Sequence, residues 1–176
     1  CGEKITISRC SFRECYADSN GGALHVQQEC TAIIHSSIFD NCHTNGKLGG
    51  ALLIVKQLTN DEVNHDMTTS LNVQYCCFHG CYGKKDESFG AALFGAANDA
   101  TLFYSSTVDC PGKDANKKSK GAQFDIQAPT ATSKNVNATG GYSKYCSGIE
   151  YRKTTNGFFW FQTISGMESM FAVAFT

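Results

Sequence analysis

Ser37-Ile38-Phe39-Asp40-Asn41-Cys42, followed after a polar stretch by Leu48-Gly49-Gly50-Ala51-Leu52, decides the fold. The same pattern precedes it as Cys10-Ser11-Phe12-Arg13-Glu14-Cys15 and then Asn20-Gly21-Gly22-Ala23-Leu24. It returns as Cys76-Cys77-Phe78-His79-Gly80-Cys81 and then Phe89-Gly90-Ala91-Ala92-Leu93. Each unit reads F-x-x-C, a polar turn, and G-[GA]-A-L. The Phe residues stand at 12, 39 and 78, giving steps of 27 and 39 residues. The longer step holds a polar insertion, Asn60-Asp61-Glu62-Val63-Asn64-His65-Asp66. Periods of about 20–50 residues mark architectures in which one unit cannot bury its own apolar face and must stack on its neighbours.

Further units are degraded. Ser106-Thr107-Val108-Asp109-Cys110 leads through a Lys-rich stretch to Gly121-Ala122-Gln123-Phe124. Val136-Asn137-Ala138-Thr139 leads to Cys146-Ser147-Gly148-Ile149. The chain therefore divides into repeats at about 5–30, 31–69, 70–99, 100–131 and 132–156, with a partial sixth at 157–176, all in one domain. A start at Cys1 and an end just after the apolar run 170–175 read as a cut from a longer chain.

Between the motifs the polarity alternates with period two, as in Ile5-Thr6-Ile7-Ser8 and Leu71-Asn72-Val73-Gln74, or forms short apolar runs such as Ala51-Leu52-Leu53-Ile54-Val55. Both are strand patterns, and no capped 3.6-residue stripe interrupts them. A coil of three short strands and three turns predicts an all-β fold: a right-handed, single-stranded parallel β-helix (solenoid) of five to six coils. Equivalent side chains then stack at the ~4.8 Å spacing of any sheet. Phe12, Phe39 and Phe78 form an internal aromatic stack that Val108 continues. The Gly pairs Gly21-Gly22 and Gly49-Gly50, with Gly90-Ala91 in the third coil, supply a sharp turn at positive φ. Ala23 and Ala51 suit the tight inward place beside it. Only 2 Pro interrupt the chain, as expected where interior strands need every N–H.

Composition excludes several classes. Fifteen Lys and Arg balance 16 Asp and Glu for a net charge of −1, so there is no basic face for nucleic acid. No run approaches the ~20 apolar residues of a membrane span. With 41% hydrophobic residues the chain is not disordered.

The paired tetrapeptides resemble the repeats of the polymorphic outer membrane protein family, marked by G-G-A-[ILV] and F-x-x-N. Similar repeats occur in large Cys-rich surface proteins of some parasitic protozoa. The match covers residues 5–110 well and 110–176 poorly. Cys15, Cys42 and Cys81 replace the family's Asn, which brings the chain nearer the Cys-rich eukaryotic variant. The resemblance implies a right-handed parallel β-helix displayed on a cell surface as an adhesin-like passenger, and it implies no catalytic residues.

Cys15, Cys42, Cys81 and Cys110 share one repeat position, and Cys10 and Cys76 another. Two readings stand. Equivalent Cα atoms one rung apart fall in the disulfide range, but stacked Cβ vectors point the same way and favour a ladder of free thiols. In Cys76-Cys77-Phe78-His79-Gly80-Cys81 the spacing invites a zinc check. His79 lies opposite Phe78 on a strand and points outward, so neither a metal site nor a cofactor is expected.

Catalysis requires an outward constellation. Asp40, His79 and Asp109 read as the residue after the stacked position in successive coils, and Asp125, Arg152 and Lys153 are further candidates. Paired carboxylates at fixed separation serve glycoside hydrolysis. Asn137-Ala138-Thr139 is the only N-glycosylation sequon. Phe158-Phe159-Trp160-Phe161 reads as a strand with alternate rings buried, or as a carbohydrate-stacking patch.

The function expected is a non-catalytic adhesion module or rigid stalk on a cell surface or secreted. It would bind a protein or glycan through the variable loops 56–69 and 112–120. The alternatives are a carbohydrate-active β-helix enzyme and a structural component packed against neighbouring chains of an assembly.

Overall fold

The structure is a computed structural model that describes residues 2–58, 65–66, 68–84, 89–110, 123–139 and 149–152. Every regular element among them is a β-strand. Each turn of chain contributes strands to four stacked faces. The long face takes Glu3–Ser8, Cys30–His35, Thr68–Gln74, the second half of Leu93–Phe103, and Thr130–Lys134. The Phe face takes Ser11–Arg13, Ile38–Asp40, Cys77–His79, Ser106–Val108 and Asn137–Thr139. A short face takes Tyr16–Ala17, His43–Thr44 and Tyr82–Gly83. An apolar face takes Leu24–Gln27, Leu52–Val55, the first half of Leu93–Phe103, Phe124–Gln127 and Ile149–Arg152. All these pairings are parallel, so the fold is a parallel β-solenoid. Four turns of chain separate the first and last strands of the Phe face, where five or six coils were expected. The partial unit 157–176 lies outside the described residues.

Register follows from what each position must bury. Phe12 pairs with Phe39 and Phe39 with Phe78, their rings stacked at 4.9 and 4.8 Å between centroids and tilted by 2° and 9°. The fourth rung corrects the expected continuation: Thr107, not Val108, lies beside Phe78. Cys110, three residues after Thr107, keeps its place in the Cys column only in this register. A slip of one residue would turn every side chain of the strand to the opposite face. The smaller Thr107 leaves space that Phe124 fills, its ring meeting Phe78 edge-on at 5.4 Å and 84°. The Thr107 hydroxyl donates to Gln123 Oε1. Elsewhere in the core, Gly95 makes room for Leu71: a Cβ there would stand 2.4 Å from Leu71 Cδ2.

The corners are built from left-handed residues. Each long-face strand ends at Arg9, Ser36, Tyr75, Tyr104 or Asn135, and the first four Phe-face strands at Glu14, Asn41, Gly80 and Asp109, all with φ between 48° and 60°. A residue other than glycine, asparagine or aspartate there costs about 1–2 kcal/mol. The corners hold because their N–H groups stay in the coil-to-coil ladder. Arg9, Ser36 and Tyr75 donate to His35, Gln74 and Phe103, and Glu14 and Asn41 donate to Asp40 and His79. The third corner follows the expected Gly pair. At Gly49 φ is 59°, and a Cβ would lie 1.9 Å from the Leu52 carbonyl oxygen.

Leu52–Val55 is buried along its whole length because its strand is covered on both sides. Leu52 and Ile54 enter the central core. Leu53 and Val55 join Leu48, Phe94 and Ala96 in a second cluster outside the coil, with Leu58 and Phe89 against it. Two covered faces explain a continuous apolar run where one would give alternation. Beyond it, Gln57–Leu58 pairs antiparallel with His65–Asp66, a hairpin that leaves the solenoid at the expected loop 56–69.

Candidate binding surface and the buried thiol ladder

The outward column after the Phe position reads Arg13, Asp40, His79, Val108. Asp40 Oδ1 accepts from His79 Nδ1 at 2.7 Å and from Asn41 Nδ2 at 3.2 Å. The Asp40 and His79 side chains keep 31% and 54% of their surface exposed, so solvent weakens the pair to about 1 kcal/mol or less. Asp109 is not the third member of this column. It sits one position on, at the left-handed corner, in register with Glu14, Asn41 and Gly80. The physical reason is the register fixed by Cys110, which gives the outward place to Val108. Asp125 is also removed from the Phe face: it is buried on the apolar face in register with Phe94 and Leu53. Arg152 ends the last described strand, and Lys153 lies outside the described residues.

The structure adds an outward aromatic column that the sequence reading missed. Tyr16, His43 and Tyr82 each follow a column cysteine and align on the short face. Tyr16 and His43 lie 5.0 Å apart with a 40° tilt, and His43 and Tyr82 stack at 4.9 Å and 4°. The Tyr16 hydroxyl donates to Asp18 and accepts from Asn45 Nδ2. The hydrogen bond to Asp18 holds the Tyr16 pKa above its ordinary value. Lys84 Nζ stands 5.3 Å from the Tyr16 ring centroid. A second outward pair, Tyr75 and Tyr104, stacks at the corner between the long and Phe faces at 4.9 Å and 2°. The signal was a position, one residue after each Cys, rather than a residue type.

Cys15, Cys42, Cys81 and Cys110 form the expected inward column. Cys42, Cys81 and Cys110 are fully buried, and Cys15 at the first rung is partly so. Each buried thiol donates to the backbone carbonyl two residues before it and reaches the carbonyl of the preceding coil's Phe. These second contacts run from Cys42 to Phe12 at 3.6 Å, Cys81 to Phe39 at 3.4 Å and Cys110 to Phe78 at 3.6 Å. The neighbouring thiol, then burial, pushes the Cys42 pKa far up, and Cys81 is raised chiefly by its contact with Cys110. The eight described cysteines are all free. The second column alternates: Cys10, Ser37, Cys76, Ser105. Ser37 Oγ accepts from the Cys10 N–H and Ser105 Oγ from the Cys76 N–H, both at 3.2 Å.

Among the described residues, no group of three or more His, Cys, Asp and Glu side chains is arranged to hold a metal ion, and no helix is long and apolar enough to cross a membrane. Asn137 opens the last strand of the Phe face, paired with Ser106. The 112–120 loop and Phe158-Phe159-Trp160-Phe161 lie outside the described residues. Compared with protein-family models, curated proteins and solved structures, the chain matches none.

Proposed function

We propose that the protein is a non-catalytic, surface-displayed β-solenoid acting as an adhesion module or rigid stalk. The observation that carries this reading is the contrast between inner and outer columns. Inward positions repeat one residue type, as in the three stacked Phe and the four Cys. Outward positions on the same rungs change sign and shape from Arg13 to Asp40 to His79 to Val108. The connections from the short to the apolar face also lengthen coil by coil, from 18–23 to 45–51 to 84–92. A constant rigid body bearing a varied surface suits recognition through loops. The resemblance to polymorphic outer membrane protein repeats supports the same reading, with a protein or glycan on another surface as partner.

The test offers the full chain, immobilised, to cells and to a glycan array. It is compared with a variant in which residues 59–64 and 112–120 are replaced by short Gly-Ser linkers. Binding by the wild type, lost in the variant while its far-UV circular dichroism stays unchanged, supports the proposal. A wild type that binds nothing, or a variant that binds equally well, overturns it. The enzyme alternative has lost part of its support, since hydrolysis by paired carboxylates needs two near one another and the outward column holds Asp40 alone. Turnover of a polysaccharide that Asp40→Asn abolishes would restore it.

A further inference from the structure

The two inward cysteine columns differ in continuity. One is unbroken over four rungs, Cys15, Cys42, Cys81, Cys110, tied rung to rung by the bonds from His43 N–H to the Cys15 carbonyl and from Tyr82 N–H to the Cys42 carbonyl. In the other, Ser37 separates Cys10 from Cys76. Thiols on adjacent rungs stand about 4.8 Å apart when strands are in register. A disulfide needs a sulfur–sulfur distance of about 2.05 Å and Cβ atoms about 3.8 Å apart, which would pinch two rungs together. Two metal–sulfur bonds of about 2.3 Å laid end to end span about 4.6 Å, close to the rung spacing. Soft sulfur ligands select soft ions such as Cu(I).

We propose that the unbroken column is a binding site for Cu(I), each ion held by two thiols of adjacent rungs, one between Cys15 and Cys42 and one between Cys81 and Cys110. At each pair one S–H bond breaks and its proton leaves to solvent. The ion forms one bond to the resulting thiolate and one to a lone pair of the neighbouring thiol. No electron is transferred, and one positive charge replaces another, so the core remains neutral. The proton is displaced by the ion itself. The Cys81 N–H already donates to Cys110 Sγ at 3.4 Å. The first rung offers the entry, since Cys15 and Phe12 are only partly buried. The alternating column holds no adjacent thiols and binds nothing by this geometry.

The experiment titrates the full reduced chain anaerobically with Cu(I) supplied from a competing chromogenic chelator. The wild type is expected to retain two more ions per chain than the double variant Cys42→Ser, Cys81→Ser. Serine is already accommodated at 37 and 105 in the sister column, so this replacement preserves hydrogen bonding to the ladder. Cys77→Ser, at an exposed position, should match the wild type. Ser37→Cys makes the second column continuous and should add one ion. A wild type that retains no more than the double variant overturns the proposal, as does a Ser37→Cys chain that retains no more than the wild type. The second arm stands even if the double variant does not fold.

Discussion

Truncating the centre of the aromatic stack tests the solenoid's energetics most directly. Phe39 is fully buried between two rings, at 4.9 Å from Phe12 and 4.8 Å from Phe78. Phe→Ala in a core costs about 3–5 kcal/mol, and each aromatic pair adds about 0.5–1.5 kcal/mol beyond area burial. Losing both pairs places Phe39→Ala at the upper end, about 5 kcal/mol. Phe12 is partly exposed and stacks on one side only, so Phe12→Ala should cost about 2 kcal/mol. Urea unfolding followed by far-UV circular dichroism measures both. Because a solenoid couples mainly to nearest neighbours, hydrogen exchange should show where the loss falls. Protection should drop in Ile38–Asp40 and in the flanking strands Ser11–Arg13 and Cys77–His79, and stay near wild type in Thr130–Lys134. If Phe12→Ala costs as much as Phe39→Ala, or protection falls evenly along the chain, the stack is not the local, two-sided support argued here.

Gly49→Ala should destabilise by at least about 1–2 kcal/mol, because its φ of 59° and the Leu52 carbonyl both oppose a side chain. Gly80→Asn should stay within about 0.5 kcal/mol of wild type in the same urea assay: Asn tolerates the left-handed region, Asn41 already occupies the equivalent corner, and the nearest obstacle is the Asn41 side chain. His25 keeps an exposed side chain, yet partial desolvation lowers its pKa, so the unfolded chain takes up its proton first. That stability is whole above about pH 6.5 and is lost as pH falls through the unfolded value toward the folded one. His25→Leu, which continues the outer column of Leu53 and Phe94, should flatten the difference in melting temperature between pH 7.5 and pH 5. Under native conditions at pH 8 a maleimide should modify exposed Cys77 well before the buried Cys42, Cys76, Cys81 and Cys110. Burial holds Cys76 at about 11, and mass mapping that found Cys76 labelled as fast as Cys77 would contradict its placement.

What was legible in the sequence was whatever points inward. The Phe, Cys and Gly-Gly-Ala positions face the same environment on every rung, so the same residue types recur and the period can be read. Outward positions share a location and no chemistry. Tyr16, His43 and Tyr82 therefore look unrelated in the sequence, although they stack in space. The left-handed corners were equally silent, because Arg9, Tyr75 and Tyr104 carry no conformational signature of their own. Their φ is imposed by N–H groups that must meet carbonyls one coil away, and those partners are 26 to 30 residues distant in the chain.

The displacement of Asp109 shows how a single position carries both fold and site. Val108 is the larger apolar residue and the natural heir to Phe78 if apolarity alone decides. Yet Cys110 follows Thr107 at the same distance at which Cys15, Cys42 and Cys81 follow their Phe residues. Spacing and apolarity give opposite answers, and spacing prevails, because moving Val108 inward would carry Cys110 out of its column and the whole strand to the wrong face. The vacancy above Phe78 is then filled from another strand, by Phe124. The consequence for function is immediate: the place after His79 in the column goes to an apolar side chain, 39% exposed, instead of a carboxylate. Cys-to-Cys spacing is thus the sharper guide to which side chains of a degraded coil are available to a partner.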